Sequence, residues 1–234
     1  MSTLVFFHGW GASGRVWERQ AAAFGHRLTV LTPTAPAWEA GWYIDYLRAL
    51  SLSECLLVGW SLGGMLLLEA LSSLTDPPPG WVVLVGVAPV FTSRADYPWG
   101  QPPAVVRAMR RALKDNPPQL LAQFAEQCLA PGEAALVSQA REAFAAPGDA
   151  GTLAAGLDYL LTCDLRPLLP NLPAGAVVIQ GQADRIVPPG QGHFLQEQLA
   201  GASLKLLPGA GHLPFLTQAA AFNGILEQCL STMN

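Results

Sequence analysis

The sequence predicts an α/β fold: a mostly parallel sheet flanked by helices, with a helical cap inserted into it. Three observations predict this. Short apolar runs alternate with stretches of helical spacing up to residue 91, the order expected of strands joined by crossover helices. That rhythm stops over 92–164, where helical patterns follow one another without a buried strand, and resumes over 165–234. Finally, Gly59-Trp60-Ser61-Leu62-Gly63 forms a G-x-S-x-G turn between an apolar run and a helix. The expected organisation is a core from 1–91 and 165–234, with the cap at 92–164.

Leu4-Val5-Phe6-Phe7 is continuously apolar, as a parallel strand buried on both faces requires. It runs into a turn, His8-Gly9-Trp10-Gly11. Val16 to Phe24 has helical spacing, and Leu28 to Leu31 is the next strand. The Pro-rich loop Thr32 to Ala37 leads to a helix over Trp42 to Leu50. Cys55 to Val58 is a third strand, and the turn at Ser61 passes into a helix over Gly63 to Leu71. Pro77-Pro78-Pro79-Gly80 breaks the chain before a strand over Trp81 to Val87. The cap reads as helices over Pro103 to Lys114, Pro118 to Leu129, Glu133 to Phe144 and Thr152 to Leu161. Strands over Ala176 to Gln180 and Ser203 to Leu207 and a helix over Ala219 to Leu230 complete the chain.

Composition narrows the class. The 234 residues suit one domain with a large core. Apolar residues reach 51%, yet the longest apolar stretch, Trp81 to Phe91, contains Gly86 and Pro89 and is far shorter than the roughly 20 residues of a membrane span. A strand-like run begins near the first residue without a basic leader, so no signal peptide is expected and the location is read as cytoplasmic. A net charge of −4 argues against a nucleic-acid partner. The cysteines at 55, 128, 163 and 229 are widely spaced, which fits reduced thiols rather than a metal centre or disulfide framework.

The turn at Ser61 has the flanks of a nucleophile elbow, with a buried strand before it and a buried helix after it. Gly59 and Gly63 let the two arms pass closely. A serine nucleophile needs a base, and the base needs an orienting acid. Of four histidines, His212 stands in the glycine-rich loop after the last strand, where ends of parallel strands face a crevice. His193 reads as a surface residue, His26 lies in a connection, and His8 holds its loop. Asp184 follows a buried strand directly and is the expected acid; Asp164, at the end of the cap, is its competitor. The chain order Ser61, Asp184, His212 is one of the known orders for such a triad. Backbone N–H groups of Leu62 and Trp10 are placed to form an oxyanion hole, each donor being worth about 3 kcal/mol of barrier.

The chain resembles α/β-hydrolases over nearly its whole length, and is expected to lack their usual first two strands. More closely, it is similar to the BioH-type pimeloyl-[acyl-carrier protein] methyl ester esterases of biotin synthesis. The residues carrying that likeness are His8-Gly9-Trp10-Gly11 with Val16-Trp17, Gly59-Trp60-Ser61-Leu62-Gly63-Gly64, Ala88-Pro89-Val90-Phe91, Asp164-Leu165-Arg166, and Gly211-His212 with Pro214-Phe215. The resemblance implies a serine esterase with no metal or organic cofactor. Ser61 would attack the methyl ester of a pimeloyl chain held on acyl-carrier protein, and His212 would move the proton. Phe91, Phe124 and Leu160, with Trp10 and Leu62, would line the acyl site.

Acyl-carrier proteins are acidic, so their docking surface should be basic. Arg107, Arg110, Arg111 and Lys114 share one helical face. Six cations and eight acids leave the cap at −2, so only this local cluster is basic. The alternative to docking is an ordinary solvated face. Competing functions are a broad-specificity carboxylesterase acting on small-molecule esters, a menaquinone-pathway type of hydrolase on the same residues, and a non-catalytic binding protein. A dehalogenase or epoxide hydrolase is disfavoured, because those resemble this fold but carry aspartate where Ser61 stands.

Overall fold

The computed structural model describes residues 3–74, 78–145, 148–172 and 174–232. Pro77 of the expected Pro77–Gly80 break lies outside the described residues. Six strands form one sheet: β1 Thr3–Phe7, β2 Thr29–Leu31, β3 Cys55–Trp60, β4 Trp81–Val85, β5 Val177–Gly181 and β6 Ser203–Leu207. All pairings are parallel, and the order across the sheet is β2-β1-β3-β4-β5-β6. The inner strands β3 and β5 are buried along their full length, whereas the edge strands β2 and β6 are largely not. This is why the inner strands read as unbroken apolar runs.

Successive side chains of a strand point to opposite faces of the sheet. On β1, Phe6 meets Trp17 on one face, with ring centroids 4.7 Å apart. Phe7 meets Tyr43 on the other at 5.1 Å. The helices follow this division. The face of Phe6 carries α1 (Glu18–Phe24), while the face of Phe7 carries α2 (Ala40–Arg48), which packs against α3 (Leu62–Ser72).

Between β4 and β5 lie α4 (Pro103–Asp115), α5 (Pro117–Gln127), α6 (Val137–Ala143) and α7 (Ala150–Thr162). Helix α4 packs on α7 and α5, and α5 packs on α6. The chain closes with α8 (Pro189–Gln198), α9 (Pro214–Thr217) and α10 (Ala219–Ser231). Helix α10 covers α1, and its Phe222 stacks on Trp17.

Among the boundaries that differ from expectation are those at the end of β4 and at Glu133. β4 stops at Val85, because Gly86 takes a φ of +52° and turns the chain away from the sheet. The expected helix from Glu133 is split: Pro131–Leu136 forms a 3₁₀ helix and only Val137 onward is α-helical. Within that 3₁₀ helix the side chain of Glu133 turns back onto the start of its own helix.

Candidate active site

Ser61 sits where β3 passes into α3, with φ 53° and ψ −125°. It is the one described non-glycine residue with positive φ. Such a conformation costs about 1–3 kcal/mol and persists only where its surroundings impose it. The surroundings do so here. The Ser61 N–H donates to Val85 O at 3.0 Å, and its carbonyl accepts from Met65 N at 3.0 Å. The two arms of the turn press together, and the loop after β1 presses on them: a Cβ on Gly59 would lie 2.5 Å from Gly64 Cα, and one on Gly63 would lie 2.1 Å from His8 O. No side chain fits at either position.

Asp184 and His212 are brought together by the loops after β5 and β6. The His212 Nδ1–H donates to Asp184 Oδ2 at 2.8 Å, and both residues are buried. Asp184 is itself fixed from several sides. Its Oδ1 accepts from the N–H groups of Ile186 at 2.8 Å and Val187 at 2.9 Å, and its Oδ2 also accepts from Gln180 Nε2 at 3.2 Å. With the Nδ1 proton committed to the carboxylate, Nε2 is left with its lone pair free to take a proton. That atom is buried and has no hydrogen-bond partner among the described residues. The bond from Ser61 to Nε2 is therefore not formed here, as is common in ligand-free sites of this kind.

Room for the pair comes from Gly86. A Cβ there would stand 3.0 Å from His212 Nδ1 and 3.3 Å from Asp184 Oδ2. Because Val85 O holds the N–H of Ser61, the end of β4 carries contacts to both the serine and the His–Asp pair.

The loop after β1 approaches Ser61 from the other side. A Cβ on Gly9 would lie 3.1 Å from Ser61 Cβ. His8 fixes that loop: its Nδ1–H donates to Gly9 O at 2.9 Å and its Nε2 accepts from Ala35 N–H at 3.2 Å. Burial pushes the imidazole down to a pKa of about 4, so it is neutral and structural at neutral pH. Trp10 follows, with its indole N–H on Leu153 O of α7 at 2.8 Å. Leu62 begins α3, and the first turn of a helix leaves N–H groups without intrahelical acceptors. An anion forming above Ser61 would meet that positive end.

The remaining sequence candidates fall as follows. His26 and His193 are exposed. Asp164 is engaged by Arg94 at 3.0 Å and Arg166 at 2.7 Å, and the bond from Arg166 holds its carboxyl below the usual range. It ties together the two ends of the helical segment rather than orienting a histidine. Phe91 and Phe124 line a cavity of about 220 Å³ with Val106, Met109 and Ile186, and the Phe124 ring meets Trp10 edge-on at 5.2 Å. Leu160 is buried in the core and does not line that cavity. Arg107, Arg111 and Lys114 are exposed, whereas Arg110 is paired with Asp158 of α7 at 3.1 Å.

Sequence reasoning missed Gln180, Gly86 and Glu133. Gln180 carried a signal, as a polar residue closing an apolar strand. Gly86 and Glu133 carried none, because their partners are distant in the chain.

The model of the alpha/beta hydrolase family matches residues 4–225. Pimeloyl-[acyl-carrier protein] methyl ester esterases from Nitrosomonas europaea and Chromobacterium violaceum are each 30% identical. The first match covers 92% of this chain and 90% of the relative, the second 98% and 94%. Among solved structures, an esterase from Exiguobacterium antarcticum superposes with a TM-score of 0.86 at 23% identity, covering all of this chain and 92% of its own. A bromoperoxidase from Bacillus anthracis gives 0.85 at 23% identity, over 98% and 92%. Those two show the fold alone. With the family's model spanning the strands, the elbow and the histidine loop, the chain belongs to the alpha/beta hydrolase family.

Proposed function

We propose that this protein is a serine carboxylesterase that hydrolyses the methyl ester of a pimeloyl chain carried on acyl-carrier protein, a step of biotin synthesis. The observation that carries the esterase chemistry is the buried His212–Asp184 pair beside a strained Ser61. The likeness to near full-length pimeloyl-[acyl-carrier protein] methyl ester esterases supports the particular ester.

In this reading Ser61 Oγ attacks the ester carbonyl while His212 Nε2 takes its proton. The N–H groups of Trp10 and Leu62 hold the oxyanion, and His212 then gives the proton to departing methanol. A water activated by His212 releases the acid and regenerates Ser61. Asp184 keeps the imidazole in the required tautomer and stabilises its charged form. No metal or organic cofactor enters these steps. Residues 92–164 act as a cap, and the cavity walled by Phe91 and Phe124 takes part of the acyl chain. The exposed cations Arg107, Arg111 and Lys114, with Arg110 beside them, form the face toward the acidic carrier. The enzyme works in the cytoplasm; no described helix is long and apolar enough to cross a membrane.

The test compares kcat/KM for pimeloyl-carrier methyl ester with that for p-nitrophenyl butyrate, in wild type and Ser61→Ala. A strong preference for the carrier-linked ester, lost in the variant, is the expected result. Activity confined to small esters would move the protein to a broad-specificity carboxylesterase.

A further inference from the structure

We propose that Glu133 is a positioning residue for His212, a latch through which the docked cap sets the geometry of the catalytic base. This rests on the reading of His212 as that base.

The segment from Cys128 to Glu133 lies against the loop that carries His212. The His212 N–H donates to Cys128 O at 2.7 Å. The N–H of the preceding residue, Gly211, donates to Glu133 Oε2 at 3.0 Å. The same oxygen accepts from Ala130 N–H at 2.8 Å. Two successive N–H groups of the histidine loop therefore end on one short stretch between β4 and β5. The carbonyl of His212 is taken by Trp60 Nε1 at 3.0 Å, and its ring by Asp184. Every polar group of His212 except Nε2, the atom that must meet Ser61, is thus held in place.

A plain helix-capping role does not account for this arrangement. Glu133 is the third residue of the 3₁₀ helix Pro131–Leu136, and reaching back to Ala130 N–H is what a capping glutamate does. A cap residue of that kind normally sits at the surface. Glu133 is 8% exposed, its Oε1 is buried without a partner among the described residues, and it bridges to a residue 78 positions away. Burying a carboxylate is costly unless it is well bonded.

Gly211 supplies an independent observation. A Cβ there would lie 2.4 Å from Cys128 O, 2.7 Å from Ala130 N and 2.9 Å from Glu133 Oε2. The histidine loop lies flush against the segment, and only glycine permits that approach.

The bonds from Gly211 and His212 to the Cys128–Glu133 segment hold the histidine loop at His212 and at the residue before it.

The experiment measures kcat and KM for p-nitrophenyl butyrate, the rate of labelling by a fluorophosphonate probe, and Tm, in wild type, Glu133→Ala, Glu133→Gln and Glu133→Asp. Glutamine keeps the length and one acceptor oxygen. Aspartate is one methylene shorter and withdraws the carboxylate oxygen that the Ala130 and Gly211 N–H groups share. The expected result is a fall in kcat and in labelling rate of about tenfold or more for alanine and aspartate, corresponding to the loss of one or two hydrogen bonds. KM should stay within about twofold, and glutamine should restore most of the rate. A structural role alone would lower Tm and leave kcat of the folded enzyme unchanged, and that outcome overturns the latch. So does a Gln variant as slow as Ala. Should Glu133→Ala not fold, Glu133→Asp carries the test, and wild-type kcat in that variant overturns the proposal. The wild-type rate itself tests the esterase reading; only the ratios between variants and wild type test Glu133.

Discussion

The indole Nε1 of Trp60 donates to the carbonyl oxygen of His212 at 3.0 Å. Trp60 is the residue before Ser61, so a single hydrogen bond ties the strained turn to the histidine loop. The ring is buried against Phe215 at 5.1 Å and lies 5.5 Å from the imidazole. Trp60→Phe keeps an aromatic ring but leaves the His212 carbonyl buried and unpaired, a cost of about 1–3 kcal/mol. At this chain length each 1 kcal/mol lowers Tm by about 2–4 °C. The expected outcome is a Tm lower by several degrees together with reduced kcat on p-nitrophenyl butyrate. Thermal melts and steady-state kinetics on the same preparation check it; an unchanged Tm would show that the bond holds nothing.

Ser61 is predicted to separate chemistry from fold. Ser61→Ala should abolish ester hydrolysis, with a loss on the order of 10⁵ or more, and abolish fluorophosphonate labelling. The fold should persist, because the bonds that shape the turn are made by the Ser61 backbone. The positive φ adds a second expectation. Ser61→Gly should be more stable than Ser61→Ala by about 1 kcal/mol, since glycine adopts that conformation without strain. Urea unfolding of the two variants decides this, and equal midpoints would mean the turn is unstrained.

His8 makes stability depend on pH. Burial disfavours the charged ring and pushes its pKa in the folded protein down to about 4, below the ordinary 6.5. Between those values the unfolded chain binds the proton and the folded chain does not, so stability rises with pH across that window. The group's contribution is fully present above pH 6.5 and is lost as pH falls toward 4, where protonation of the folded ring begins to limit further loss. The difference is about 3 kcal/mol. His8→Gln removes the titrating ring and should flatten this part of the pH profile. Urea unfolding of both proteins across the window is the check, and parallel profiles would rule out His8 as the source.

The candidate site was legible where the residues that the fold gathers also lie together in sequence. The elbow at Ser61 showed itself through a strand, a turn and a helix in one stretch of chain. Asp184 and His212 could be placed because each follows a buried strand, and parallel topology sends both loops to one end of the sheet. The sheet was legible for the same reason: inner strands are buried on both faces and show as apolar runs. What stayed hidden depends on long-range contact. Glu133 read as one of several cap acids, since nothing near it indicates a partner at Gly211. Arg110 looked equivalent to its neighbours, because periodicity places a side chain on a face without naming the helix opposite.

That difference between Arg110 and its neighbours shapes the prediction for the basic face. Arg107, Arg111 and Lys114 are exposed, and Arg110 is paired with Asp158, so α4 presents three cations outward and spends one against α7. An acidic carrier would be drawn to the outward set, an attraction that weakens with salt. Reversing Arg107, Arg111 and Lys114 to glutamate should raise KM for the carrier-linked ester, most steeply at low ionic strength, and leave p-nitrophenyl butyrate kinetics unchanged. Arg110→Glu should behave differently. It places like charges across the α4–α7 contact, loosens the cap and alters the kinetics of both substrates. Steady-state kinetics of both esters at two salt concentrations separate the cases. If the triple reversal changes the two substrates equally, the basic face is solvated surface and docks no carrier.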